Sequence, residues 1–132
     1  MNEQSFKDRT KRLALAFIDL VEVLPRTRTA DVIARQLLRS GTSIGANYRS
    51  AYGERSTADL IAKLRIVEEE ADESVYWMEL LLESKLSSPA RMDRLTRETD
   101  EIIAMTVASI RTLQKRDGQA PINRKSKIEN PK

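Results

Sequence analysis

The chain of 132 residues has no cysteine and no histidine. The first absence excludes disulfides and thiol chemistry, and with them any argument for an oxidising compartment. The second removes the commonest general base and the commonest metal ligand. Serines are plentiful, but no histidine is there to activate one, so an enzyme is not expected. Aromatic residues make up 5%, and glycine and proline number four each. That is little material for a sheet. No segment approaches the roughly 20 apolar residues of a membrane span. The N-terminus, "MNEQSFKDRTKRLALAFIDL", carries acids and has no unbroken apolar run, unlike a signal peptide. These absences point to a soluble, cytoplasmic protein with no membrane partner and no cofactor.

A third of the residues are charged, and Ala, Leu, Glu and Arg abound, a mix that favours helix. The net charge of +3 hides an uneven layout. Residues 26–65 carry eight basic and three acidic side chains, residues 66–101 four and eleven, and residues 102–132 seven and two. Such asymmetry suggests contact with a polyanion, self-assembly between unlike faces, or both.

Hydrophobic periodicity predicts four helices, at about 5–24, 29–52, 56–86 and 88–116, within one domain of residues 1–116. A basic, aperiodic tail over 117–132 is expected to be disordered. Pro25 stops the first helix. Thr29 is the expected N-cap of the second, with Asp31 in its first turn. Ser56 followed by Asp59 has capping-box spacing, and Ser88-Pro89 opens the fourth helix, which should end before Gly118. The apolar stripes are Phe6, Leu13, Phe17, Leu20, Val21 and Leu24; Ile33, Leu37, Ile44 and Ala51; Leu60, Leu64, Val67, Ala71, Val75, Met78 and Leu82; and Met92, Leu95, Ile102, Ile103, Thr106, Ile110 and Leu113. Short links between amphipathic helices predict an all-α, up-down-up-down antiparallel four-helix bundle.

The second helix has three faces. Arg28, Arg35, Arg39, Thr42 and Arg49 lie within about 80° of one another. The core stripe lies opposite. Between them run Leu38, Gly41, Gly45, Tyr48 and Tyr52. Each glycine inside a helix costs about 1 kcal/mol relative to alanine. Two glycines four apart, on one face, let another backbone approach. That backbone belongs either to a neighbouring helix of the same chain or to another subunit; a phosphate-cradling loop lacks its motif. On the third helix Ile66, Trp77 and Leu80 share a second face with Glu70 and Glu73. This reads as an assembly surface or as a core wide enough to reach Trp77. The expected interface residues are therefore Gly41, Gly45, Tyr48, Tyr52, Ile66 and Trp77.

The arginines carry the functional reading. Guanidinium forks match phosphate oxygens, and several such contacts give salt-dependent, sequence-tolerant binding. Arg28, Arg35, Arg39 and Arg49 form one candidate surface, and Arg97, Arg111 and Lys115 on the fourth helix a second. No aromatic interleaves them, so backbone contact rather than base reading is expected. The alternative is that these charges serve only self-assembly and protein partners. The run "EEEADE" suggests metal only superficially, because its charges fall mostly away from the inward stripe. A solvated or subunit-facing acidic surface is the expected use, with pairing to the arginines of the second helix in the next protomer as an alternative within it.

The run "QLLRSGTSIGANYRSAYGERSTADLIAKLRIVEEEADESVYWMELL", Gln36 to Leu81, resembles the four-helix bundle proteins associated with intervening sequences in 23S ribosomal RNA. Its "SGTSIGANYRSA" and "EEADESVYWMELL" parts are the specific ones, and a looser resemblance extends from Ser5 to Arg116. The resemblance implies an up-down bundle, a bacterial source and a ring-shaped homo-oligomer, since members of known structure form pentamers. That family is similar to the accessory proteins of diversity-generating retroelements, basic pentamers that engage nucleic acid and a reverse transcriptase. The implied partners are thus RNA or DNA and a nucleic-acid enzyme; no activity is implied.

Overall fold

The structure is a computed structural model that describes residues 2–54 and 56–119. Four helices follow one another: α1 (Glu3–Glu22), α2 (Arg28–Ala51), α3 (Thr57–Glu83) and α4 (Pro89–Gln119). Each packs on its chain neighbours, and α1 also meets α4, while the backbones of α1 and α3, and of α2 and α4, stay apart. The result is an antiparallel four-helix bundle with two diagonal pairs. The α1–α4 seam is the loosest of the four.

Local signals explain most helix ends. Asn2 caps α1, its side-chain oxygen accepting the Ser5 N–H at 2.7 Å. Ser56 caps α3 as its spacing predicts, accepting the Asp59 N–H at 3.1 Å. Pro89 is the first residue of α4, where a missing N–H costs nothing. Helix α1 runs two residues earlier at both ends than the expected 5–24, ending at Glu22 before Pro25 is reached, and three further ends differ from the sequence reading for identifiable reasons. Thr27, not Thr29, caps α2, accepting the Ala30 N–H at 3.2 Å; the earlier start brings Ala30 into the core. Helix α4 does not end before Gly118 but runs through it. No glycine has positive φ, and nothing stands within 4 Å of the place a Gly118 Cβ would take, so this glycine is no cap. The remainder of the expected tail, 120–132, lies outside the described residues.

The third difference is at the end of α3, at Glu83 rather than Leu86. Lys85 adopts a φ of 63°. The Leu86 N–H bonds to the Leu81 carbonyl at 2.9 Å and the Lys85 N–H to the Leu82 carbonyl at 3.0 Å. This is a Schellman ending whose left-handed position holds lysine instead of glycine. Without the glycine, the sequence hides the stop. Left-handed backbone strains a residue with a Cβ by about 1 kcal/mol or more, and glycine gives back part of that as unfolded-state entropy. Lys85→Gly is expected to stabilise the protein by about 0.5 kcal/mol, read as a higher urea midpoint at unchanged m-value.

The core follows the apolar stripes. Phe6, Leu13, Phe17, Leu37, Ile44, Leu64, Val67, Met78, Leu81, Met92 and Ile102 are all essentially inaccessible to solvent. Each contributes on the order of 1.5–3 kcal/mol by burial. On α3 the buried stripe is rotated relative to the predicted one. Ser74 and Leu81 are inside, whereas Leu60, Val75 and Leu82 are only half-buried. The rotation is set by α2. Ser40 and Ser74 bring the two helices close, their hydroxyls 2.8 Å apart and fully buried. Ser74 also donates to the Glu70 carbonyl at 2.9 Å, which leaves its oxygen free to accept from Ser40. Buried Thr10, Thr99 and Thr106 likewise donate back to the carbonyls of Phe6, Leu95 and Ile102, so no hydroxyl among these is orphaned.

Candidate nucleic-acid interface

Helix α2 is continuous through both glycines, so its arginines keep one register from end to end. Arg28, Arg35 and Arg49 lie exposed on its outer face, together with Thr42 and Ala46. A rise of 1.5 Å per residue separates Arg28 from Arg35 by about 10 Å, and Arg35 from Arg49 by about 21 Å. Among the described residues none of the three has an ion-pair partner.

Arg39 differs. It sits at the α3 edge of the row and bonds to Glu70 at 3.3 Å and to Glu73. Glu73 also accepts the Trp77 indole N–H at 2.9 Å. By sequence the acidic run reads as a solvated or subunit-facing surface, with arginines of the next protomer as an alternative partner; two of its carboxylates hold an arginine of their own chain. The reason is the close α2–α3 packing at Ser40–Ser74, which brings the flanks of both helices within reach. Arg39 thus clamps two helices, and its charge is already balanced.

Arg97, Arg111 and Lys115 are exposed and, among the described residues, free of ion pairs. Asp93 and Asp100 share their side of α4. Because α2 and α4 occupy diagonal corners, the two basic surfaces look in different directions.

The glycine face is occupied. A Cβ at Gly41 would overlap the Phe17 ring, with Cε2 and Cγ each at 2.9 Å, and one at Gly45 would stand 3.2 Å from Thr10 Oγ1. Tyr48 is buried against Phe6, ring centroids 4.3 Å apart. Of the two readings left open, the neighbour is the one in the same chain: α1 packs on this face through Phe17, Thr10 and Phe6, which corrects the assignment of Gly41, Gly45 and Tyr48 to a subunit interface. Burial, first, and the neighbouring Tyr52 hydroxyl, second, push the Tyr48 phenol far above the ordinary tyrosine range. Trp77 is half-buried against the core, so the wide core does reach it. Tyr52 at 40% and Ile66 at 36% relative exposure remain open to solvent.

Sequence reasoning passed over Arg9. It crosses from α1 to α4, bonding to Glu98 at 2.8 Å and Glu101 at 2.9 Å. These hydrogen bonds, Glu98 first, hold the guanidinium proton still more firmly. Above this clamp the helices part around a cleft of about 760 Å³. Its floor is apolar, and its rim holds Arg12, Arg91 and Arg94 with Asp19. The available signal was faint: Arg9 flanks the apolar stripe of α1 as an ordinary solvated charge would.

The fold and its surface define an antiparallel four-helix bundle with a row of free arginines on one corner helix. The chain belongs to the 23S rRNA-intervening sequence protein family, whose family model matches residues 3–108. It is similar to a protein of unknown function from the S23 ribosomal protein family of Bacteroides thetaiotaomicron. That structure superposes with a TM-score of 0.78 at 34% identity, covering 84% of this chain and 99% of the other. No curated protein matches. Among the described residues no helix is long and apolar enough to cross a membrane.

Proposed function

We propose that this protein is a non-enzymatic homo-oligomer that binds nucleic-acid backbone through the outer face of α2. The reading extends to a cytoplasmic bacterial protein, pentameric as its family resemblance implies, acting beside ribosomal RNA or a nucleic-acid enzyme. The observation that carries it is the unpaired row Arg28, Arg35 and Arg49 on a rigid helix. Arg39, one turn away, shows what these side chains do when carboxylates are near; the other three have none within ion-pair distance among the described residues. Free guanidinium groups at fixed spacing suit phosphate oxygens, and repetition around an oligomer would multiply weak contacts. With no aromatic in the row, binding rests on charge and shape.

The test is retention of a structured RNA and of a duplex DNA of equal length across a salt series. Affinity should fall steeply with salt. Exchanging Arg28, Arg35 and Arg49 for glutamine should weaken binding at least tenfold and flatten the log–log salt slope by about two to three. No retention at low salt, or a slope unchanged by the triple variant, ends this reading. A protein-only scaffold then takes its place, with the Arg39 clamp as its model for how the charges are used.

A further inference from the structure

The loosest seam of the bundle and its most acidic face are complementary, and the complementarity lies between copies rather than within one. The cleft between α1 and α4 has an apolar floor that includes Leu13, Leu20 and Leu95. Its rim carries Arg12, Arg91 and Arg94 and one carboxylate, Asp19, all exposed and, among the described residues, without ion-pair partners, so the rim is net basic. The Arg9–Glu98 pair closes one end and is already neutral. The opposite chemistry lines the outer face of α3. Glu69, Asp72, Glu79 and Glu83 point outward there, unpaired among the described residues, around a 52%-exposed Tyr76. From Glu69 to Glu83 this stripe is about 21 Å long, and the α1 wall of the cleft from Leu13 to Val23 is about 15 Å long.

We propose that the α1–α4 cleft receives the acidic face of α3 from a second copy of this chain, with Tyr76 over the apolar floor and the carboxylates on the three rim arginines. This rests on the assembly half of the function proposed above and names the surfaces that perform it. A phosphate chain fits this cleft less well, because leucines line the bottom where a polyanion offers nothing apolar. Tyr76 supplies an amphipathic ring with carboxylates on either side, matching floor and rim together. The contact is heterologous: one face of each copy meets a different face of the next. Helices α1 and α3 hold diagonal corners, so cleft and stripe look to different sides of the bundle. Head-to-tail contacts of that kind close into rings when the rotation permits. The arginine row of α2 takes no part and stays outside.

Charge reversal tests this with mass by light scattering and helicity by circular dichroism. The wild type should run as a multiple of the 15.0 kDa protomer. The variant Arg91→Glu with Arg94→Glu, and separately the variant Asp72→Lys with Glu79→Lys, should each run at protomer mass with helicity unchanged. Mixing the two variants should raise the mass above that of the protomer, since unlike copies meet faces of opposite sign, although a five-membered ring cannot alternate them throughout; placing all four exchanges in one chain should restore the wild-type mass. A wild type of protomer mass, reversed variants of wild-type mass, or a fourfold variant that stays dissociated overturns the proposal. So does loss of RNA retention by the Arg91 and Arg94 variant at unchanged mass, which assigns the cleft to nucleic acid. Retention measured on the same samples keeps the two claims apart. A wild type of protomer mass that still holds RNA through α2 sinks the assembly alone, and a wild-type assembly that holds none sinks the binding alone.

Discussion

Gly41→Leu should abolish the folded state, and Gly41→Ala should cost about 1–3 kcal/mol. Helix propensity alone predicts the reverse for alanine, a gain of about 1 kcal/mol. The difference comes from one ring. Phe17 is fully buried, and a Cβ at position 41 would sit 2.9 Å from its Cε2 and Cγ. An aromatic locked in a close-packed core cannot swing aside as the tip of a surface lysine would. Four residues on, Gly45 meets the Thr10 hydroxyl at 3.2 Å, a contact relieved by a few tenths of an ångström. Gly45→Ala should thus fall within about 1 kcal/mol of wild type, propensity offsetting the squeeze. Phe17→Leu should reduce the cost of Gly41→Ala, a coupling of at least about 1 kcal/mol in a double-mutant cycle by urea unfolding. If Gly41→Ala stabilises the protein instead, α1 does not lie against α2 as described.

The second large effect appears in alkali. Tyr48 is 5% exposed, and its burial raises the phenol pKa far above the usual tyrosine value of about 10. Below pH 10 the phenol keeps its proton in both folded and unfolded chains, and its contribution to stability is complete. Above pH 10 the unfolded chain releases the proton while the folded chain holds it. Unfolding then gains about 1.4 kcal/mol per pH unit from this group, or roughly 2.7 kcal/mol by pH 12. Lysines and the other tyrosines also titrate in this range, so the informative quantity is a difference. Tyr48→Phe keeps the ring on Phe6 and removes the proton. Its stability should fall less steeply between pH 10 and 12, by about 1.4 kcal/mol per unit, in urea titrations at fixed pH. Equal slopes for both proteins would show the hydroxyl to be solvated in the native state.

Both effects come from the α1–α2 contact, where sequence reading went only part of the way. Spacing placed Gly41, Gly45 and Tyr48 on one face of a helix and required a close neighbour for them. It left the owner of that neighbour open, because helical period is a property of one segment and contact is a property of two. The same limit hid Arg39. Its place beside Arg35 is a matter of register, but its bonds to Glu70 and Glu73 depend on how near α3 lies. That nearness follows from Ser40 and Ser74, two small residues 34 positions apart that look unremarkable singly. Ser74 and Leu81 escaped the predicted core of α3 for a related reason. A stripe drawn from hydrophobicity alone centres on its leucines and valines, whereas the buried stripe centres on the two helices that flank it.

What the sequence determined alone is the local physics: four amphipathic helices, the cap at Ser56 and the helix start at Pro89, the continuity of α2 through its glycines, and the grouping of arginines on one side of it. Each depends on residues within a turn or two of one another. Tertiary structure alone decided which charges remain free and which faces remain open. It consumed Arg39 and the glycine face within the protomer, set the α2 and α4 basic surfaces on opposite corners, and parted α1 from α4 around a basic cleft. Those outcomes arise from the distances between helices. Such distances are set by the smallest side chains at each crossing, which carry little weight in any one-dimensional pattern.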